Sequence, residues 1–189
     1  GIRTVTLYVL STENLDRTAG ELRDLFELIE ARLDRLLNDA RIVKYRVKVR
    51  AIGHLDLLPG SIVGLLRAIE TKTEAYDNHY LNIAVAYGGR AEITDVVKSI
   101  AQDVRSGKVS PDAITEDTVS ARLYTSFLPN QEPDLIIRTS GEERMSGFLL
   151  WQGAYSELMF VDVFWPAFRF IDLLRAIRTY QKRRRRYGK

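Results

Sequence analysis

Residues 134–157 read DLIIRTSGEERMSGFLLWQGAYSE. The apolar run Leu135-Ile136-Ile137 follows Pro133-Asp134 and stops at Arg138-Thr139-Ser140-Gly141. This is the pattern of a buried parallel strand that ends in a small-residue turn. Open α/β sheets bind ligands at the carboxyl ends of such strands, so this turn is the first place to look for a site. It carries Arg138, Glu142, Arg144 and Ser146, and Glu157 follows further on. A guanidinium presents a planar fork of donors that matches phosphate oxygens. A carboxylate nearby can hold a divalent ion that those phosphates share. The same residues would also serve in a plain surface loop where Arg and Glu pair with one another.

Upstream, strands and helices alternate. The run Thr4-Val5-Thr6-Leu7-Tyr8-Val9-Leu10 has the β-branched and aromatic content of a strand and leads into the polar turn Ser11-Thr12-Glu13-Asn14. Thr18 and Glu21 form a capping box that opens a helix. Leu22, Leu25, Phe26, Ile29, Leu33, Leu36 and Leu37 then trace one apolar stripe, either core or the wall of an apolar channel. A second strand is predicted over 44–52, ending at Gly53-His54-Leu55-Asp56, and Ile62, Val63, Leu65, Leu66 and Ile69 mark the helix after Pro59-Gly60. His54 and Asp56 suggest a ligand or acid/base pair, although a single His in a turn is more often neither. A third strand over 81–87 ends at Gly88-Gly89-Arg90, a weak phosphate-turn signal, and a helix follows. Beyond a connector with a short helix over 116–124, a fifth strand is expected over 158–163. Phe170, Leu173, Leu174, Ile177 and Tyr180 pattern a last helix. Strands alternating with helices throughout predict an α/β fold, a single-domain open parallel β-sheet with helices on both faces.

Composition narrows the function. Of 189 residues, 46% are hydrophobic and 28% charged, which is globular rather than disordered. No run of eighteen apolar residues marks a membrane span. The absence of cysteine excludes disulfide and thiolate chemistry and suits a reducing cytoplasmic location. Net charge is +3, yet nine Lys and Arg against one Asp fall within residues 169–189. A polyanion binder spreads its charge over a face and adds aromatic platforms, so nucleic acid is not an expected partner.

Four stretches together resemble the cis-prenyltransferase family, that of undecaprenyl diphosphate synthase and its short-chain relatives. They are Leu10-Ser11-Thr12-Glu13-Asn14 with Arg17; Ile52-Gly53 with Leu58-Pro59; Ala86-Tyr87-Gly88-Gly89-Arg90-Ala91-Glu92-Ile93; and residues 134–166, with RTSGE, R-x-S, FLLWQ, SE and WP in register. The resemblance covers essentially the whole chain as one catalytic domain, residues 1–189. It implies condensation of isopentenyl diphosphate with an allylic diphosphate such as geranyl or farnesyl diphosphate, forming a cis double bond and releasing diphosphate. Arg138, Arg144 and Ser146 match the positions that hold isopentenyl diphosphate, with Arg17 and Ser11 in supporting substrate-binding roles. Asn14 matches a catalytic residue near the condensing atoms, and Glu157 a carboxylate that helps bind Mg²⁺. A homodimer is implied too, as is peripheral membrane association through the product or the basic tail.

This sequence departs from the family pattern in three ways. Family members carry an upstream strand and an Asp-Gly-Asn-Arg-type loop whose Asp binds metal and allylic diphosphate. The strand that opens near residue 3 sits where the family's second strand would, so this chain is expected to be a fragment lacking that segment. Leu15 stands where many members have Trp, and Gly147 where many have Asn. Together with Val9, a larger residue than the Ala of long-chain members, they lead to the expectation of a short product, Z-farnesyl diphosphate. Arg185-Arg186-Tyr187-Gly188 resembles the family's C-terminal Arg-x-Gly ending, whereas Arg183 and Arg184 read as solvated tail. A rival reading is a non-catalytic accessory subunit of a heteromeric enzyme, against which stand the retained Arg138, Arg144, Ser146 and Glu157.

Overall fold

The computed structural model describes residues 1–183, so the Arg-x-Gly ending expected at the C-terminus lies outside the described residues. The chain divides into two compact units, Gly1–Leu128 and Pro129–Lys189. The first contains β1 (Thr4–Tyr8), α1 (Ala19–Leu37), α2 (Ala40–Lys44), β2 (Val47–Ile52), α3 (Gly60–Thr73), β3 (His79–Ala84), α4 (Gly89–Arg105) and α5 (Glu116–Ser120). Its strands are all parallel, in the order β1-β3-β2. Tyr8, Ala84 and Ile52 share one register level, so the three strands end together and their following turns lie along one edge.

The helical stripes read from the sequence face this sheet. Thr18 and Glu21 close the reciprocal cap of α1. Ile29 and Leu33 of α1 join Ile62, Leu66 and Ile69 of α3 in a core that also holds Leu10, Val49, Ile83 and Val85. Helix α3 has a second task. Thr73 Oγ1 accepts a bond from Val49 N (3.1 Å) and donates to Ile69 O (2.9 Å), while Glu70 Oε1 accepts from Ala51 N (2.8 Å). These side chains cover the outer edge of β2, which would otherwise present unpaired donors.

The third strand is shorter than the pattern predicts. Pairing stops at Ala84, and Ala86 turns to a φ of +47°, although residues 82–89 remain buried. The bend brings Val85 O against Gly53, where an added Cβ would lie 2.2 Å from that oxygen. Gly53 also has a φ of +127°, so only glycine fits there.

The second unit contains β4 (Leu135–Arg138), β5 (Glu157–Phe160) and α6 (Phe170–Lys182). The two strands pair in parallel, Leu135 opposite Glu157 and Arg138 opposite Phe160. The α/β class with parallel strands is therefore present in both units. The stripe read for α6 is only partly right. Leu173, Ile177 and Tyr180 are half-buried, but Phe170 and Leu174 are 73% and 42% exposed, and Asp172 and Ala176 are buried instead. The reason lies in the cap. Asp172 Oδ2 accepts Arg169 N at 3.0 Å and Oδ1 faces Arg175 Nη1 at 3.3 Å, which turns the polar residue inward with its hydrogen bonds satisfied.

Two stability outcomes follow. Leu66→Ala removes a side chain that is 1% exposed and is expected to lower unfolding free energy by about 2–5 kcal/mol in urea titration. The backbone bond from Arg169, then the charges of Arg169 and Arg175, hold the Asp172 carboxyl below the usual carboxylate range. A depressed folded-state value gives stability that is present above about pH 4 and lost as pH falls through that lower value. Melting temperatures of Asp172→Asn should therefore fall less steeply than wild type between roughly pH 5 and pH 2.

Candidate active site

In the first unit the site residues gather on the turn after β1. Ser11 N-caps a short 3-10 turn, Thr12–Asp16, and exchanges bonds with Asn14. Asn14 N donates to Ser11 Oγ (3.2 Å) and Ser11 N donates to Asn14 Oδ1 (3.1 Å). That exchange fixes the Asn14 amide oxygen and leaves its Nδ2 donors directed by the turn. Glu13 is held below the usual carboxylate range by backbone hydrogen bonding and by Ser11. Leu15 packs its side chain on the core, so the residue found in place of the family's Trp anchors the turn from beneath. Arg17 caps the end of the 3-10 turn, its N–H bonded to Asn14 O at 3.3 Å, and is exposed.

The turn is clamped to the one after β3. Thr12 N donates to Tyr87 O (3.1 Å), Tyr87 N donates to Leu10 O (3.1 Å), and Tyr8 hydroxyl reaches Tyr87 O (3.2 Å). Gly88 completes the contact, since a Cβ there would lie 2.8 Å from Thr12 Oγ1. Tyr87 is in turn fixed from below. Its hydroxyl donates to Glu92 Oε2 (2.5 Å), and Glu92 Oε1 accepts Tyr124 N (2.8 Å). Tyr124 hydroxyl donates to Asp95 Oδ2 (2.6 Å), and burial, with Asp95 beside it, pushes that hydroxyl well above its ordinary value. Asp95 Oδ2 also lies 3.4 Å from His54 Nε2, closer than the 3.8 Å from Asp56 Oδ1 to His54 Nδ1. The His54–Asp56 pair singled out in the sequence is thus part of a larger framework that supports the turns. The Glu92–Tyr87–Tyr124 centre of it was invisible to spacing arguments, although a Glu on the inward face of α4 is an available signal.

In the second unit Arg138 closes β4 and turns back into the loop that follows. Its Nη1 donates to Arg144 O (2.7 Å) and to Ser146 Oγ (2.8 Å). Its Nε is buried without a partner among the described residues. Arg144 points its guanidinium to Glu142, the ordinary loop pairing that the sequence also allowed, and both are largely exposed. Ser146 has a φ of +48° and Gly147 one of +77°. Gly and Asn are the residues that tolerate such angles at least cost, which accounts for Gly147 at a family Asn position. Arg138, Arg144 and Ser146 are therefore brought together.

Glu157 is not joined to them. It opens β5 opposite Leu135, three residues along the strand from the level of Arg138, roughly 10 Å away. Its Oε2 accepts a 2.5 Å bond from Arg183 Nη1, which also donates to Leu158 O at 3.3 Å. Arg183 is thus not the solvated tail residue expected from the sequence.

The family profile described as "Putative undecaprenyl diphosphate synthase" matches residues 1–188. A tritrans,polycis-undecaprenyl-diphosphate synthase (geranylgeranyl-diphosphate specific) of Methanopyrus kandleri is 54% identical over 189 residues, all of this chain and 69% of that protein. The chain belongs to the undecaprenyl diphosphate synthase family of prenyltransferases. A Methanocaldococcus jannaschii protein of the same name is 49% identical over all of this chain and 68% of its own length. Among solved structures, lavandulyl diphosphate synthase from Lavandula x intermedia, in complex with dimethylallyl diphosphate, matches with a TM-score of 0.96. It is 33% identical, over 100% of this chain and 80% of that one.

Mg²⁺ is ordinarily held by one or two carboxylates, with substrate phosphates and water completing its shell. Glu157 offers one carboxylate, whose Oε2 is held by Arg183 Nη1. Among the described residues no group of three His, Asp or Glu side chains could form a shell unaided. No described helix is long and apolar enough to cross a membrane.

The Glu92 framework has a measurable consequence. Glu92→Ala leaves Tyr87 hydroxyl and Tyr124 N without this acceptor, at about 1–3 kcal/mol for each buried donor left unsatisfied. Glu92→Gln retains an acceptor and should lose less. Denaturant unfolding of the two variants would rank them in that order.

Proposed function

We propose that this chain carries the catalytic machinery of a cis-prenyl chain transferase, joining isopentenyl diphosphate to an allylic diphosphate with release of diphosphate. The observation that carries the reading is the Arg138 centre. Its Nη1 is fixed by Arg144 O and Ser146 Oγ, and its buried Nε–H has no acceptor among the described residues. A buried donor of this kind is costly unless an anion or water meets it, and a diphosphate supplies acceptor oxygens in quantity. Arg144, exposed and paired only at the surface with Glu142, can exchange that partner for phosphate at little cost.

Prenyl transfer suits these groups. As the allylic C–O bond breaks, negative charge grows on the leaving diphosphate, and fixed donors aimed at such charge stabilise it without reorganising. The new C–C bond forms from the double bond of isopentenyl diphosphate, and loss of a proton then sets the cis alkene. Bound Mg²⁺, with Glu157 as protein ligand, would offset diphosphate charge. The family resemblance assigns Asn14 to the condensing atoms and Ser11 and Arg17 to substrate support. The rigid Ser11–Asn14 exchange supports a positioning part for that amide. A cytoplasmic homodimer acting as one catalytic domain completes the proposal.

The names of the two archaeal relatives support geranylgeranyl diphosphate as primer and a long product. They lend no support to the Z-farnesyl product suggested by Leu15, Gly147 and Val9. The long product is the reading put forward.

The test is turnover by the full-length protein, beside residues 1–189, with isopentenyl diphosphate, Mg²⁺ and geranyl, farnesyl or geranylgeranyl diphosphate, with products sized by mass spectrometry. Polyprenyl diphosphates well beyond the primer are expected, fastest from geranylgeranyl diphosphate. A three-isoprene product would restore the short-chain reading. Arg138→Ala should reduce kcat/KM roughly 100-fold or more. Absence of turnover until a second protein is added would establish the accessory-subunit reading instead.

A further inference from the structure

Several charged groups of the second unit have intramolecular partners, and one pairing bears on metal loading. Glu157 is the carboxylate assigned above to Mg²⁺, and its Oε2 is held at 2.5 Å by Arg183 Nη1. Arg183 directly follows α6, and its side chain folds back to β5, where Leu158 O takes a second bond from the same nitrogen. The end of α6 is anchored one turn earlier as well. Tyr180 hydroxyl donates to Asp134 Oδ1 at 3.0 Å, and Asp134 O accepts Glu157 N at 3.1 Å. Tyr180 near the end of α6 and Arg183 just beyond it thus each reach one of two residues at the start of the strand pair, Asp134 and Glu157. The Glu157 side chain is 26% exposed, so a counter-ion there is worth more than on an open surface.

We propose that Arg183 is an internal counter-ion that a divalent cation must displace from Glu157, so that metal binding releases the end of α6. The inference rests on Glu157 being a metal ligand. A carboxylate oxygen engaged by a guanidinium cannot enter a metal shell without losing that bond. Because arginine keeps its charge at all physiological pH values, the exchange is driven by cation concentration and not by protonation. A metal carried in by a diphosphate would free Arg183 beside that diphosphate, where a guanidinium is a suitable phosphate donor.

The experiment is Mn²⁺ binding, followed by the loss of the free-ion paramagnetic resonance signal, in wild type and in Arg183→Gln, Lys182→Gln and Glu157→Gln. Arg183→Gln is expected to bind Mn²⁺ about threefold to fivefold more tightly, the range of one partly exposed ion pair. Lys182→Gln, which removes the same charge from the neighbouring residue, should stay near wild type. Hydrogen exchange should quicken at residues 179–183 of wild type on adding Mn²⁺, and be fast in Arg183→Gln from the start. Equal tightening in Lys182→Gln would reduce the effect to net charge and overturn the proposal. Binding that Glu157→Gln weakens but Arg183→Gln leaves at the wild-type level would overturn it while keeping the metal assignment. Binding unaffected by Glu157→Gln, or none in any of the four proteins, would overturn both.

Discussion

Burial of the polypeptide from residue 82 to residue 89 is the constraint on which the first unit depends. A backbone segment taken out of water must find partners for its N–H and C=O groups. Up to Ala84 the sheet provides them on both sides, through β1 and β2. Beyond Ala84 the neighbouring turns must do so. Val85 N bonds Ile52 O, Ala86 O accepts His54 N, and Tyr87 exchanges bonds with Leu10 and Thr12. The turns after β1, β2 and β3 are therefore bound to one another through a single central segment. The Ser11–Asn14 exchange sits on that support, which gives the turn the rigidity that the role proposed for Asn14 requires.

The second unit solves a different problem, that of keeping several charges in order without a ligand. Arg144 rests on Glu142, Glu157 on Arg183, and Asp172 on Arg169 and Arg175. Arg138 differs from all of these. Two neutral oxygens orient it, and no carboxylate among the described residues pairs with it. On the proposed reading its charge is already positioned for an incoming anion, while Arg144 must first leave Glu142. Preorganisation of the first lowers the ordering cost of binding, and the looseness of the second lets the loop adjust.

Much of the fold was legible because it depends on local patterning. Apolar runs of strand length, the Thr18–Glu21 cap and the stripes of α1 and α3 each report a neighbour's face, and sheet order follows from alternation with helices. The misreadings arose where one polar group outweighed that patterning. Asp172 turned α6 to satisfy its own cap, leaving Phe170 exposed, and a positive φ at Ala86 cut β3 short. The Arg138–Arg144–Ser146 grouping was legible because the three lie within nine residues of one turn. The partners of Glu157, Tyr87 and His54 were not. Arg183 is 26 residues from Glu157, and Asp95 and Tyr124 are likewise distant from His54, separations at which spacing carries no information.

The loop between β4 and β5 concentrates unfavourable backbone angles, with positive φ at Ser140, Ser146 and Leu149. Such residues persist only where their surroundings over-determine them. Ser140 N bonds Val163 O, Gly141 N bonds Val161 O, and Val161 N bonds Arg138 O, so the first half of the loop is sewn to the strand beyond β5. The Arg138 side chain ties back the second half through Arg144 O and Ser146 Oγ. Arg138 is consequently a strut of the turn that presents Ser146, besides the phosphate donor proposed for it. Its removal changes the shape of the site as well as its charge. Lysine would preserve the charge but has neither the planar fork nor the buried Nε–H of this arginine. The guanidinium is required for its geometry before its charge.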